Sequence, residues 1–263
     1  MDAAACCKAT ADRGVGAGPT DGRELADIIR RYGPAYRRDH RLSPDQNKTL
    51  CAIKTCRTSE LGGHAQSCRR CGYKRYSYNS CRNRHCPKCQ TLTKARWIED
   101  RKAELLPAPY FHVVFSLPHK LNALVLYNRR IMINMLFSAA SQTLADFGRN
   151  NLGGRLGFTL ILHTWDQKLN AHFHLHCLIA GGALVGDDPA SRRWVSTSPK
   201  FLLPVRALSK VFRGKFLAGL KAIGAKRELT FPGTPGNAGQ FAAMLDKLYR
   251  KKWNLYAKSP FGG

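Results

Sequence analysis

Acidic residues are scarce in this 263-residue chain, with 17 Asp and Glu against 43 Lys and Arg, a formal net charge of +26 and a pI near 10.1. Solubility does not require such an excess. A polyanionic partner does, because each phosphate neutralised by Lys or Arg releases counterions and adds sequence-independent affinity. Long apolar runs are missing too. No stretch approaches the roughly 18 apolar residues needed to span a bilayer, so no membrane span is expected and nucleic acid ranks ahead of an anionic membrane surface. The opening MDAAACCKATADRG has charges where a signal peptide needs an apolar core, so an intracellular protein is expected. There is no internal repeat. A hydrophobic content of 44% is nevertheless enough for one large or two small packed domains.

What the chain does have is cysteine, ten in all, seven of them between Cys51 and Cys89. In a reducing compartment that density points to metal ligands rather than disulfides. Cys68-Arg-Arg-Cys71 and Cys86-Pro-Lys-Cys89 have the two-residue gap of zinc knuckles, with fourteen residues between the pairs. The short gap lets backbone amides point at the thiolates, and two such knuckles can close one tetrahedral zinc site. Cys56, His64, Cys81 and His85 supply ligands for a second site, with Cys51 to spare. One shared site, two sequential sites and a cross-braced pair all fit. The intervening Arg69, Arg70, Arg82, Arg84 and Lys88 leave little apolar area to bury, so one or two zinc ions are expected to drive folding and the arginines to face phosphate.

Residues 1–22 are small and Gly/Ala-rich, an expected mobile N-terminus in which Cys6 and Cys7 have no assigned role. GRELADIIRRYGPAYRRDH reads as an amphipathic helix ended by Gly33–Pro34, a second helical piece starts at Pro44, and another starts near Thr91 and stops at Pro107 and Pro109. The expected boundaries are therefore a helical, zinc- and DNA-binding domain over 23–106 and a second domain over 107–263. That second domain reads as strand (Tyr110–Pro118), helix (about Val125–Phe147), hairpin, strand, two helices and a last strand (Trp253–Lys258). The pattern predicts an α+β fold with a mainly antiparallel sheet and packed helices.

The hairpin carries the second candidate site. AHFHLHCLIA, Ala171–Ala180, places His172, His174 and His176 at alternate positions, so on a strand all three imidazoles leave one face. FTLILHTW, Phe158–Trp165, is rich in β-branched and aromatic residues, and the polar DQKLNA between the two reads as a turn. Centring that turn sets His163 opposite His174. Three or four converging neutral imidazoles are suited to a divalent ion.

CRTSELGGH (56–64), CRRCG and SYNSCRNRHCPKCQ (77–90) resemble the N-terminal zinc-binding domain of the rolling-circle transposases of the insertion sequence 91 family. ELLPAPYFHVVFSLP, LHTWDQKLNAHFHLHCLIAGG, FLLPVRALSKVFRGKFL and WNLYAKSPFGG resemble successive blocks of the same family, so the likeness runs from about residue 24 to the last. It implies a His-hydrophobic-His endonuclease-like domain with its ligand pair at His174 and His176; the triplet His172-Phe173-His174 also fits. The third ligand is expected at His163, with Asp166 and Gln167 as alternatives. The implied chemistry is DNA strand cleavage by a tyrosine hydroxyl with magnesium or manganese, giving a 5′-phosphotyrosine and a free 3′-hydroxyl. The implied partner is single-stranded or hairpin transposon-end DNA, in the cytoplasm at the nucleoid. In that family the nucleophile lies on a helix after the last strand. The sequence stops at Gly263 just after the expected strand, so the helix is expected to be missing, the nucleophile to lie beyond Gly263, and the chain to bind DNA and metals without completing cleavage alone. Tyr249 and Tyr256 remain nearby. The competing expectation is a non-catalytic, zinc-dependent DNA-binding module, a truncated element product that competes with the intact enzyme.

Overall fold

The computed structural model describes residues 24–198, 204–226, 228–231 and 238–258. The expected mobile segment 1–22, with Cys6 and Cys7, lies outside the described residues. Two compact units divide between Leu105 and Leu106.

The first unit is three helices and a hairpin: α1 (Leu25–Asp39), α2 (Pro44–Thr55), β1 (Gly63–Ser67), β2 (Lys74–Tyr78) and α3 (Pro87–Ala103). Helix α1 continues through Gly33–Pro34 instead of ending there. A reciprocal Glu24–Asp27 cap starts it, Arg37 and Arg38 complement the dipole in its last turn, and Tyr36 stacks on His40 at 4.0 Å. These contacts together hold it past the proline. Helix α2 begins with the Ser43–Gln46 capping box and Pro44 in its first turn. Helix α3 starts at Pro87 rather than Thr91, because the fixed φ of proline suits the first helical turn and Cys86 stands at the N-cap. Among the described residues the buried cluster of this unit is Ile29, Ile53, Cys56 and Cys86, with Leu50, Cys81 and Cys89 packed around it and Ala26 buried outside it.

The second unit contains β3 (Tyr110–Ser116), α4 (Asn122–Tyr127), α5 (Arg129–Leu152), β4 (Arg155–Trp165), β5 (Ala171–Val185), β6 (Arg193–Ser196), α6 (Val205–Ala225), α7 (Ala238–Arg250) and β7 (Leu255–Ala257). Its sheet is antiparallel throughout, in the order β4-β5-β3-β7, with β6 paired to the far end of β5. The architecture is α+β. The single helix expected over Val125–Phe147 is two, broken at Asn128, whose buried side chain donates to the Leu124 and Thr230 carbonyls and accepts from the Thr230 N–H. Strand β5 outruns its expected end because Gly182 lets the Trp194 ring lie against the backbone; a Cβ there would come within 2.4 Å of that ring.

Period-two alternation makes the sheet two-sided. Phe111, Val113, Phe115, Phe173, Leu175, Cys177 and Ile179 turn to one face and share a core with Met132, Leu136 and Leu144 of α5 and Phe212, Phe216 and Leu220 of α6. Phe115 meets Phe212 edge-on at 5.0 Å. The other face carries His112, Val114, Ser116, His172, His174 and His176. Among the described residues no helix is long and apolar enough to cross a membrane.

Candidate metal centres

In the first unit the chain brings Cys56, Cys81, Cys86 and Cys89 together, their sulfurs all within 4.8 Å of one another. Cys56 caps the end of α2, Cys86 caps the start of α3, and Cys89 lies one turn on. Cys89 Sγ is 3.5 Å from Cys56 Sγ and 3.6 Å from Cys81 Sγ. Four sulfurs about 2.3 Å from a central zinc would be about 3.8 Å apart, so the donor set fits that ion. The Cys81 N–H also points at Cys56 Sγ, at 3.5 Å, as amides do in zinc knuckles.

This grouping narrows the arrangements that the spacing left open. Cys86 and Cys89 join Cys56 and Cys81, not Cys68 and Cys71. The reason is the hairpin: Cys68 and Cys71 lie in the turn beyond β1 and β2, and a five-residue strand carries its tip about 17 Å from its base. His64 sits on exposed β1, His85 is exposed with its Nε2 taking a hydrogen bond from Arg84 Nε at 3.2 Å, and Cys51 lies 3.7 Å from an Arg37 nitrogen. None of the three joins the group of four. Of the basic residues, Lys88 pairs with Glu24 at 2.5 Å, whereas Arg69 and Arg70 are exposed at the hairpin tip and Arg82 and Arg84 are exposed before Cys86.

Burial, the main cause, raises Cys56 and pushes Cys81 up to about 12. At Cys89 burial also acts upward, but hydrogen bonds from Cys56, Cys81 and Cys86 outweigh it and bring the thiol down to about 7. Four thiols this close oppose ionisation of all four, and a divalent cation reverses that balance.

In the second unit His163, His174 and His176 bring their ligand nitrogens within 4.8 Å of one another. The register pairs His163 directly with His174 across β4 and β5. His174 Nε2 is 3.2 Å from His176 Nε2, close to the 3 Å or so between two nitrogens bound at about 2.1 Å and at right angles. Asp166, an alternative third ligand, is occupied in the turn: its carboxylate accepts from the Lys168 and Asn170 N–H groups and the Asn170 side chain. Gln167 lies in the same turn. His172 shares the face but stacks on His119 at 4.8 Å and lies outside the group of three.

Sequence reasoning overlooked His112. From β3 its Nε2 is 2.7 Å from His176 Nδ1, on the side away from His174, and the two rings are stacked. Its position in a strand of alternating burial was the available signal, but only the β3–β5 pairing shows the contact. Burial first, then the neighbouring charges of His163, His174 and His112, bring His176 down to about 4. Burial likewise lowers His174, His172 and His112, the last helped by Lys258. These imidazoles are neutral near pH 7, the form that binds metal.

Comparison with known proteins gives a direct context for both clusters. Residues 28–117 match the family described as transposase zinc-binding domain, of the insertion sequence 91 type, and residues 157–263 match the family described as putative transposase. The chain belongs to the insertion sequence 91 family of transposases. Within that family it is similar to a putative transposase, y4qJ, of Sinorhizobium fredii, with 44% identity over 248 residues, 92% of this chain and 62% of that protein. It is also similar to the transposase for insertion sequence element IS801 of Pseudomonas savastanoi pv. phaseolicola, with 33% identity over 139 residues, 52% of this chain and 33% of that protein. The chain thus spans less than two thirds of either relative. Among solved structures, the conjugative relaxase TrwC in complex with oriT DNA aligns with 14% identity and a TM-score of 0.36, covering 54% of this chain and 64% of its own.

The two tyrosines near the end of the chain differ in setting. Tyr249 lies on α7 with the Arg213 guanidinium over its ring at 5.1 Å. Tyr256 pairs with Val114, while its neighbours Leu255 and Ala257 pack on the core, so it leaves the same face of the sheet as His176. Val114 lies between Tyr256 and His176, which sets their Cα atoms about 10 Å apart at the usual strand spacing.

Proposed function

We propose that this chain is the DNA-binding and metal-binding part of a rolling-circle transposase that cleaves one strand at transposon ends through a tyrosine. The supporting observation is the convergence of His163, His174 and His176, half-buried, buried and half-buried, from two paired strands on the face of the sheet opposite its packed core. Such a site is held rigid from behind by the core, and a nucleic-acid strand would approach it from the other side. Its neutral ligands leave the charge of a bound magnesium or manganese uncompensated. The ion would polarise the scissile phosphate and stabilise the charge that builds on its oxygens.

The residues of the chain then divide the work. His163, His174 and His176 hold the ion. His112 accepts the Nδ1 proton of His176, which fixes that ring with Nε2 free to bind, the usual task of a partner behind a metal-bound histidine. Cys56, Cys81, Cys86 and Cys89 hold a structural zinc, and Arg69, Arg70, Arg82 and Arg84 contact phosphates from the zinc-binding unit. In the cleavage step a tyrosine oxygen bonds to phosphorus and loses its proton as the bond to the 3′-oxygen breaks. That oxygen takes up a proton and leaves as the 3′-hydroxyl. In this reading the nucleophile comes from the part of the relatives' length that this chain does not span, so the 263 residues alone form no adduct. The protein works inside the cell, where its DNA is.

The test is manganese binding and covalent capture. His174→Ala with His176→Ala should abolish manganese binding at the sheet while leaving zinc and most DNA affinity in place. A 5′-phosphotyrosine adduct on single-stranded DNA should require a chain extended past Gly263 and be lost in the same double variant. An adduct mapped to Tyr256 in the 263-residue chain would move the nucleophile into β7. Manganese binding unchanged by the double substitution would refute the ion site.

A further inference from the structure

We infer that the β1–β2 hairpin of the zinc-binding unit is a stacking platform for unpaired DNA bases, with Tyr76 and Tyr78 as its rings. The inference rests on the DNA-binding reading above and specifies which form of DNA this unit holds.

The hairpin does nothing for the core. All ten residues of its two strands are exposed. Register puts Tyr76 opposite Ala65 and Tyr78 opposite Gly63, with Lys74 opposite Ser67, so one face carries two aromatic rings and a lysine beside the smallest side chains of the partner strand. Gly63 could not be larger: a Cβ there would lie 2.5 Å from the Ser77 carbonyl oxygen. Tyr76 is 57% exposed and Tyr78 46%, and neither side chain has a hydrogen-bond or ring partner among the described residues. Two large aromatics left bare on a strand that buries nothing lack a structural reason within this unit.

Their surroundings specify the occupant. Between Arg57 and Arg96 the sequence has ten Lys and Arg and one acid, Glu60. Arg69, Arg70, Lys74 and Arg75, at the tip and along β2, have no carboxylate partner among the described residues. A surface of bare rings among unpaired cations matches a strand that offers base faces and phosphates together, which a duplex, with its bases stacked on one another, does not. Spacing agrees. Same-face residues two apart on a strand are about 6.7 Å apart, twice the roughly 3.4 Å between stacked bases, so one base fits between the rings. The tyrosines supply stacking and the cations track the backbone.

The experiment measures binding of the whole zinc-loaded chain to an oligo(dT) strand and to a duplex of the same length, across a salt series. Tyr76→Ala with Tyr78→Ala should weaken oligo(dT) binding at least about tenfold, leave duplex binding and the salt slope unchanged, and be rescued by Tyr76→Phe with Tyr78→Phe, since stacking is worth about 1–3 kcal/mol per base and needs no hydroxyl. Lys74→Ala with Arg75→Ala should instead flatten the salt slope. Bromodeoxyuridine in the strand should cross-link to Tyr76 or Tyr78 in the unaltered chain, a readout that needs no variant to fold. Equal loss on strand and duplex, no loss, or failure of the Phe pair to rescue with zinc content intact would overturn the platform alone. Failure of the unaltered chain to bind either DNA would overturn the DNA-binding reading itself.

Discussion

The two units reach a folded state by different routes. Behind the histidine face the described residues include twenty-seven buried apolar side chains in one cluster, whereas the centre of the zinc-binding unit is four buried residues, two of them cysteines. Burying a large apolar side chain is worth about 1.5–3 kcal/mol, so the sheet has ample means to fold without an ion and the zinc-binding unit does not. The same contrast appears in where each ligand sits. Cys56 and Cys86 are fully buried and are themselves the packing, while the histidines stand on a face opposite the core. Zinc is therefore structural in one unit, and the ion proposed for the other would be a removable working part.

The largest effect that would break this comparison is on the cysteines. Cys86→Ser should unfold the zinc-binding unit and release its zinc while near-ultraviolet signals from Trp253 and its aromatic neighbours persist. Zinc retained in full would refute the group of four. Cys68→Ser with Cys71→Ser sharpens the same point, because a zinc measured by elemental analysis should survive that change. Next in size, Phe115→Ala should lower the stability of the second unit by about 3–5 kcal/mol, seen as a fall in its unfolding midpoint without loss of zinc. His174→Ala with His176→Ala, by contrast, should cost manganese and little stability, and a collapse of the sheet would contradict the separation of site from scaffold. His112→Ala should weaken manganese affinity about 10–100-fold, with His112→Gln recovering part of it. The smallest effect is on pH. In chelator-treated protein His176, lowered to about 4, takes up its proton at lower pH than in the unfolded chain, whose value is near 6.5. The unfolded state then binds more protons across that window, so the midpoint of the second unit should rise from about pH 4 to 6.5 and level off above it. A flat midpoint would argue that these imidazoles are solvated.

How far the sequence reached follows the same division. Period-two alternation and a symmetric turn were enough to place His163 opposite His174, because strand register is fixed when one face is buried. The helices of the second unit were legible for similar reasons, apart from the break at Asn128, whose partner Thr230 is 102 residues away. In the zinc-binding unit, local spacing named the candidate ligands but left open which knuckles meet, since nothing local says how far a hairpin lifts Cys68 and Cys71. His112 was missed for a related reason. Its role depends on β3 lying beside β5, a pairing across 64 residues.

The central claim, that one unit needs its metal to fold and the other does not, is tested most directly by hydrogen exchange on the whole chain with and without a zinc chelator. Amides of α2, the hairpin and the start of α3 should lose protection when zinc is removed, while β3, β5 and α5 keep theirs. Joint loss of protection in both units, or protection of the zinc-binding unit that survives complete removal of zinc, would contradict it.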